Sequence, residues 1–466
     1  MAVIINTRFG EHKGRTRVWL EGRKLAHEGI EPGMKYRVHI DPSTRQAKVQ
    51  IAPDLVDANG SISRRKVRGD EEQYLPVLDL AADVADKLRA ILKGASEIRV
   101  AVRGCSMIIS AQLACSDAQE RVERVHRKMR NGEPLAVASF FHGGGVIDDG
   151  LHSGLARAGV SSFVQVAVEL EQKYLESSLN NNGHLFNRDT VFFEGSIEHF
   201  NPRGVKAEIV CAGIPCTGAS LSGRAKNKLA FAEDHDTAGA LFYYVLNAVT
   251  AMNPAIVLIE NVEPYAHTAS MSVIRAVLRA RGYALHERVL DGGEFGCLEA
   301  RRRLCVVAMS EGLADTFSLD ELVSIKQKEA CIGDILDPIP DDSEMFRSYS
   351  YLADKEVRDK AAGKGFARQL ITERDTSVGC LGKSYNKARS TEPFLVNKTN
   401  PDLSRLFTPQ EHARLKGIPP RIIAGNSVTT AHEILGQSVC WPCFEAVGYA
   451  IGASIAQSVV SVPLAA

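Results

Sequence analysis

Cys216 is a residue whose type and surroundings could do covalent chemistry. It lies in the turn Gly213-Ile214-Pro215-Cys216-Thr217-Gly218, directly after an apolar run at residues 207–212 that is typical of a buried strand. Proline fixes the backbone before the thiol, and the glycines remove side-chain bulk around it. Such a turn presents a nucleophile at the end of a strand, although a buried cysteine in a turn is the alternative interpretation.

An acid and two cations occur where such a nucleophile would need them. Glu260 follows the apolar strand predicted at residues 255–259, and its carboxyl group could protonate a ring nitrogen or cap a helix. Arg301 and Arg303 alternate onto one face at the start of the strand predicted at residues 304–308. Their guanidinium groups could polarise a carbonyl group and hold the glutamate.

A glycine-rich turn and a second acid are candidates for binding a cofactor. Gly143, Gly144 and Gly145 follow the strand predicted at residues 136–141, and they would let a cofactor approach the backbone closely. Glu169 ends the next strand, where its carboxylate could accept hydrogen bonds from ribose hydroxyls. A plain tight turn explains the glycines equally well.

The elements around these candidates predict an α/β fold. Strands and helices alternate from residue 135 to about 310, which favours a parallel, doubly wound, Rossmann-like sheet. The turns that follow parallel strands lie at one edge of such a sheet, so the candidate residues should converge there.

Length and composition set the context. The chain has 466 residues with a formal net charge of zero, so we expect two or three domains and any nucleic-acid surface to come from local charge. Ten cysteines are too sparse for a disulfide scaffold, and neither a signal peptide nor an apolar run approaching a membrane span is evident. We therefore expect a cytoplasmic protein without a membrane partner. The lone Cys440-x-x-Cys443 motif predicts no metal site.

The first part of the chain is basic, whereas the chain as a whole has a formal net charge of zero. Its first 70 residues carry 14 Lys and Arg against 8 Asp and Glu, and alternating segments at residues 35–40 and 46–51 predict strands around a turn. We expect a mostly-β or α+β accessory domain over residues 1–131, for DNA binding or for homodimer formation. Residues 17–33 resemble the looped hairpins of AbrB-type DNA-binding proteins.

The order of the motifs resembles the cytosine-C5 DNA methyltransferase family over residues 136–310 and 404–452. The resemblance implies a catalytic domain at 132–310, a small target-recognition domain at 311–403 and a return to the catalytic domain at 404–466. The matching segments are Phe141 with the glycine turn, Pro215-Cys216, Glu260-Asn261-Val262, Glu299 with Arg301 and Arg303, and residues 405–419.

The resemblance also implies a mechanism and a cofactor. Cys216 would attack C6 of a cytosine flipped out of double-stranded DNA, Glu260 would protonate N3, and Arg303 would grip O2. C5 would then take a methyl group from S-adenosylmethionine. The implied cofactor-binding residues are Phe141, Gly143, Gly145, Glu169, Ser196, Ile197, Pro215, Gln437, Ser438 and Val439.

Several residues depart from the family pattern around the cofactor. His142 replaces a small residue, Val146–Asp149 resembles a four-residue insertion, and Ser196 stands where the family has aspartate. The motif Gly-Asn-Ser-Val occurs at residues 425–428, but residues 436–439 have the better spacing and are preferred. These departures are compatible with ordinary S-adenosylmethionine binding, with an altered cofactor or with weakened catalysis. The alternative functions are a non-catalytic DNA-binding regulator and an RNA cytosine-C5 methyltransferase.

Overall fold

The computed structural model describes residues 2–67, 73–80, 82–93, 95–215, 232–235 and 238–461. The predicted nucleophile Cys216 lies outside these residues. The chain divides into two compact units, Met1–Glu120 and Arg121–Ala466, and the division falls within the helix α3, Leu113–Asn131.

The N-terminal unit is mostly β-structure. The strands predicted at residues 35–40 and 46–51 are confirmed, and the turn between them is held by Asp41, whose carboxylate accepts from Ser43 and Thr44. Its elements are β1 Val3–Arg8, β2 Gly10–His12, β3 Arg15–Glu21, α1 Arg23–His27, β4 Lys35–Asp41, β5 Gln46–Ala52, β6 Gly60–Ser61, β7 Ser63–Lys66, β8 Tyr74–Leu80, α2 Ala82–Ile91, β9 Glu97–Arg103 and β10 Ser106–Ala111.

These strands form two antiparallel sheets around one apolar core. The larger sheet has the order β1-β9-β10-β5-β4-β6, and the smaller has the order β2-β3-β8-β7. Alternate residues of the strands are buried, as in β5, where Ala47, Val49 and Ile51 face the core. One face of each strand is therefore apolar and the other polar.

The second unit contains the predicted α/β core. Its strands are β11 Leu135–Phe140, β12 Ser162–Glu169, β13 Val191–Glu194, β14 Ile209–Gly213, β15 Ile256–Val262, β16 Tyr283–Asp291, β17 Arg302–Ser310, β18 Gln369–Ile371, β19 Pro393–Val396 and β20 Ser404–Arg405. Its helices after α3 are α4 Val146–Arg157, α5 Gln172–Asn181, α6 Leu241–Met252, α7 Ala269–Ala280, α8 Ser350–Ala361, α9 Pro409–Leu415, α10 Val428–Gln437 and α11 Trp441–Ser461.

The central sheet is mixed rather than wholly parallel. It has seven strands in the order β13-β12-β11-β14-β15-β17-β16, and β17 runs antiparallel to both of its neighbours. The prediction of a purely parallel sheet was wrong for this strand, because the short connection from β16 to β17 allows an antiparallel pair, whereas a parallel pair needs a long crossover. The start of β17 therefore lies at the edge where β15 ends.

Helices cover both faces of this sheet, which explains its apolar strands. All six residues of β11 are buried, as expected for a strand between two helical layers. On one face α4 packs closely on α11, since a Cβ added at Gly154 would overlap the carbonyl oxygen of Glu445. The Rossmann-like class is therefore confirmed.

The helix α11 corrects one expectation from the sequence. No apolar run that approaches a membrane span was expected, but its segment Trp441–Val460 is long and apolar enough to cross a membrane by length and composition. However, 56% of its most apolar stretch is buried inside the fold, and the core helix of a soluble protein can have the same length and composition. Its apolar character is thus explained by packing against α4.

Residues between β17 and α9 form a small separate layer. The three-stranded sheet β18-β19-β20 lies there together with α8. A compact apolar cluster joins this layer to the central α/β core, and it contains Leu298, Ile332, Val378, Leu381, Tyr385, Phe407 and Leu415.

Candidate active site

Glu260 and Arg303 form an ion pair at the edge of the central sheet. Glu260 lies near the end of β15 and Arg303 at the start of β17, where Arg303 is paired with Val262 in the register. Arg303 Nε is 3.1 Å from Glu260 Oε1, and both side chains are largely buried. The antiparallel course of β17 is what brings these two residues together.

The surroundings of Glu260 favour its protonated form. Burial raises the pKa of Glu260 above its ordinary value, and the positive charges of Arg303, Arg301 and Lys416 offset this only partly. A carboxyl group that keeps its proton more readily than usual is suited to act as a general acid.

The end of β14 places the predicted nucleophile's neighbours beside this acid. Gly213 is paired with Glu260 in the register of β14 and β15. A Cβ added at Gly213 would lie 3.5 Å from Glu260 Oε2, which is an ordinary van der Waals contact, so the backbone of Gly213 lies directly beside the carboxyl group. Pro215 follows two residues later and is half-buried, and the structural description of this segment ends there.

Arg301 makes different contacts from Arg303. It is buried, and its Nη1 lies 3.2 Å from Glu299 Oε1 and 2.7 Å from Cys380 Sγ. Its Nη2 donates to the carbonyl oxygen of Gly436 at 2.9 Å. Arg301 therefore joins the segment around Cys380 to the end of α10, and Arg303 alone of the two pairs with Glu260.

A buried lysine near Arg301 was missed by the sequence analysis. Lys416 is fully buried, its Nζ donates to the carbonyl oxygen of Leu435, and it lies 3.5 Å from Glu299 Oε1. Burial and repulsion by Arg301 lower the pKa of Lys416 to about 8, against the attraction of Glu299. Lys416 belongs to a matched motif, but nothing in its spacing indicates that it is buried.

The glycine turn after β11 contacts the acid at the end of β12. The backbone N–H of Gly143 donates to Glu169 Oε2 at 2.6 Å, and Glu169 Oε1 accepts from the N–H of Glu171. Phe141 has a φ of 58° and Gly145 a φ of 77°, so both ends of the turn have a left-handed backbone. Gly145 is the residue that immediately precedes α4. Each carboxylate oxygen of Glu169 retains capacity to accept another hydrogen bond.

Among the other predicted cofactor residues, Gln437 reaches the glycine turn, and the rest make contacts elsewhere. Ser196 follows β13, and its hydroxyl accepts from the N–H of Glu198, while Ile197 is buried beside it. A Cβ added at Gly143 would lie 3.7 Å from Gln437 Nε2, so Gln437 reaches the glycine turn. Ser438 donates to the carbonyl oxygen of Leu435, and Val439 is part of the core.

The alternative motif at residues 425–428 lies elsewhere. Ser427 caps the start of α10, and Asn426 Nδ2 donates to Ser177 Oγ on α5 at 2.7 Å. These contacts give the segment a role in attaching α10 to α5.

The departures from the family pattern form a buried network beneath the glycine turn. His142 Nδ1 lies 2.9 Å from Asp148 Oδ2, and His142 Nε2 lies 2.7 Å from Ser178 Oγ. Asn182 Nδ2 bridges Ser178 Oγ and the carbonyl oxygen of Gly144. The His142 side chain is completely buried, so the unusual residues support the turn from within the protein.

The network stabilises the ionised form of Asp148. Although burial disfavours its charge, the His142 ring and the Ser139 hydroxyl hold the pKa of Asp148 below its ordinary value. Asp148 Oδ1 has no hydrogen-bond partner among the described residues, so the carboxylate depends on His142 and Ser139. From the sequence, only an insertion that carries two aspartates could be recognised, and the network that it forms could not.

The possible metal ligands in the described part of the chain do not cluster. No group of three or more His, Cys, Asp or Glu side chains is arranged there to hold a metal ion. Cys440 and Cys443 are buried in the apolar core together with Cys297.

Comparisons with known proteins identify relatives of this fold and site. The family model described as C-5 cytosine-specific DNA methylase matches residues 136–453. The chain is 28% identical over 256 residues to the type II methyltransferase M.NlaX of Neisseria lactamica, covering 53% of this chain and 77% of that protein. It is 25% identical over 279 residues to M.HhaI of Haemophilus parahaemolyticus, covering 56% and 81%.

A solved structure supports the same fold. The Dnmt2 methyltransferase of S. pombe superposes with a TM-score of 0.53 at 20% sequence identity, covering 69% of this chain and 99% of that one.

Proposed function

Because the chain belongs to the C-5 cytosine-specific DNA methylase family and is a methyltransferase that uses S-adenosylmethionine, we propose that it methylates C5 of cytosine in double-stranded DNA through a covalent adduct with Cys216. The observation that carries this proposal is the Glu260–Arg303 ion pair beside the end of β14. Named relatives such as M.NlaX and M.HhaI are type II methyltransferases, which supports DNA as the substrate.

The reaction begins with access to the base. C6 of cytosine is shielded by stacking in a duplex, so the target nucleotide must be extruded at a cost of a few kcal/mol. The Cys216 thiolate then adds to C6, forming a sulfur–carbon bond, and the electrons of the C5–C6 double bond become available at C5.

Glu260 makes this addition favourable. Its carboxyl proton passes to N3 of the base, which neutralises the negative charge that the thiolate brings into the ring. Burial raises the pKa of Glu260, so its carboxyl group takes up a proton more readily than that of an ordinary glutamate. Arg303 holds the carboxyl group in position through its Nε, and its guanidinium group can also donate to O2 of the base.

The reaction ends with restoration of the ring. C5 takes the methyl group, its own proton is then lost to solvent, and the bond from C6 to Cys216 breaks. N3 returns its proton to Glu260 in the same step. Each residue is thereby regenerated for the next turnover.

The residues at the sheet edge fit S-adenosylmethionine. When bound, this cofactor supplies an electrophilic methyl group. Gly143 offers backbone without a side chain, Glu169 has free acceptor capacity for ribose hydroxyls, and Gln437 reaches the same turn. The buried His142–Asp148 pair preserves the turn, which favours ordinary cofactor binding over an altered cofactor.

Mass spectrometry of nucleosides tests this proposal. Plasmid DNA and total RNA would be isolated from a methylation-free host that expresses the full chain or its Cys216→Ala variant. We expect 5-methylcytosine in the DNA with the native chain and none with the variant. Methylated cytosine in RNA alone would support the RNA methyltransferase instead, and unmodified nucleic acid from folded protein would support the non-catalytic regulator.

A further inference from the structure

The N-terminal unit is built from two copies of one arrangement of strands. Strand β3 is followed by a helix and the hairpin β4–β5, and β8 is followed by a helix and the hairpin β9–β10. Each copy begins with two short strands, β1 and β2 in the first copy and β6 and β7 in the second.

The pairing of the strands follows the same duplication. Strand β2 pairs with β3 as β7 pairs with β8, and β1 pairs with β9 as β6 pairs with β4. The first strand of each copy thus joins the hairpin of the other copy. Both sheets are completed within one chain, so this unit needs no second copy to close them.

The register defines an approximate twofold axis. Trp19 on β3 faces Asp79 on β8, and Lys48 on β5 faces Ile108 on β10, so each of these pairs joins residues 60 positions apart. Residues 60 positions apart are equivalent in the two copies. Where two equivalent residues pair with each other, the axis that exchanges the copies must pass between them. The axis therefore passes through both sheets.

One sheet face of this unit is exposed and basic. The outward side chains of β4 and β5 include Lys35, Arg37 and Lys48, and those of β9 include Arg99 and Arg103. None of these five has an acidic partner among the described residues. The two acids on the same face are already engaged, since Glu97 pairs with Arg8 and Asp41 accepts hydrogen bonds from its own turn.

The composition of this face identifies its partner. We propose that the outer face of the sheet β1-β9-β10-β5-β4-β6 binds the phosphate backbone of duplex DNA, which rests on the proposed function for DNA as substrate. Lys and Arg side chains without acidic partners match a polyanion, and Arg37 and Arg99 occupy equivalent positions in the two copies. The face has no Phe, Tyr or Trp among its outward residues on β4, β5, β9 and β10, so it lacks the stacking platform that single strands require.

Salt-dependent binding by the full chain tests the proposal. The variant Arg37→Gln/Lys48→Gln/Arg103→Gln removes three charges from the face, and the control Arg23→Gln/Lys24→Gln/Arg89→Gln removes three exposed charges from α1 and α2. Affinity for a fluorescein-labelled duplex without cytosine would be measured by anisotropy over a salt series, with double-stranded RNA as competitor. Without cytosine in the probe, binding at the catalytic pocket through a flipped base is avoided.

The expected result is specific to the face. Three lost phosphate contacts should make the slope of log K against log salt shallower by ~2–3 and weaken binding at least tenfold at low salt. The control should bind like the native chain. Equal binding by the face variant, an equal loss in the control, or stronger competition by double-stranded RNA would overturn the proposal.

The same experiment separates this inference from the proposed function. Formation of 5-methylcytosine by each variant would be measured at saturating cytosine-containing duplex. Face-dependent binding without methylation would refute the proposed function and leave the surface standing. Methylation with binding that is independent of the face would refute the surface alone.

Discussion

The buried pair of His142 and Asp148 leads to the most specific prediction about the cofactor turn. In Asp148→Asn the carboxylate becomes an amide, so the charged contact with His142 Nδ1 at 2.9 Å is lost. One acceptor oxygen remains for Ser139, but an NH₂ group replaces an oxygen in a position without partners. His142 is then free to release Ser178, which helps to hold the turn through Asn182.

The magnitude follows from these contacts. A hydrogen bond to a charged group contributes about 1.5–3 kcal/mol, and burying an unsatisfied donor costs about 1–3 kcal/mol. Since one hydrogen bond is retained, we expect the free energy of unfolding to fall by about 2–4 kcal/mol. A turn that is no longer held should bind S-adenosylmethionine at least tenfold more weakly, which corresponds to about 1.4 kcal/mol.

The neighbouring aspartate provides a matched control. Asp149 is equally buried, but its oxygens accept from His184, Arg421 and Trp441 and make no contact with the turn. Asp149→Asn should therefore lose similar stability and keep its cofactor affinity. Calorimetric titration with S-adenosylmethionine and urea unfolding would be measured for both variants. Equal cofactor affinities in the two variants would refute the positioning role of Asp148.

Three further predictions concern the acid, the buried lysine and the turn. Glu260→Gln cannot donate a proton to N3, so kcat should fall by about 10²–10⁴ with folding retained, and near-native kcat would exclude general-acid catalysis by this residue. Because the pKa of Lys416 is lowered to about 8 in the folded state, protonation of its amine destabilises the native state. This destabilisation is complete below about pH 8 and decreases as the pH rises above it. The stability of the native chain relative to Lys416→Met should rise by ~2 kcal/mol between about pH 7.5 and pH 9.5 in urea unfolding, and a constant difference would contradict a lowered pKa. Gly145→Ala would place a Cβ 2.6 Å from Asn182 Nδ2, so it should weaken cofactor binding, whereas Gly159→Ala, with a similar φ but open space, should not; equal effects would indicate backbone strain alone.

The sequence was sufficient to predict that the candidate residues meet at one edge of the sheet, because strand ends converge in α/β sheets. Glu169 and the glycine turn meet as expected from parallel neighbours. The pairing of Glu260 with Arg303 was also predicted, but the antiparallel course of β17, on which it depends, was not.

Other features depend on contacts between distant residues and carry no local signal. The environment of Lys416 is created by Glu299 and Leu435, and the partner of His142 lies within an insertion that resembled a simple lengthening of the turn. The duplication in the N-terminal unit was missed because its copies share strand pairing more than residue types. The AbrB-type resemblance, a homodimer and the role of residues 311–403 in target recognition stay predictions.

A covalent trap tests the central claim most directly. The full chain would be incubated with S-adenosylmethionine and a duplex that contains 5-fluorocytosine, in which C5 has no proton to lose and the adduct cannot break down. We expect a stable protein–DNA conjugate whose cross-linked peptide contains Cys216, together with its absence in Cys216→Ala. Transfer of methyl groups to ordinary duplex DNA without any conjugate, or a conjugate at another residue, would contradict the account.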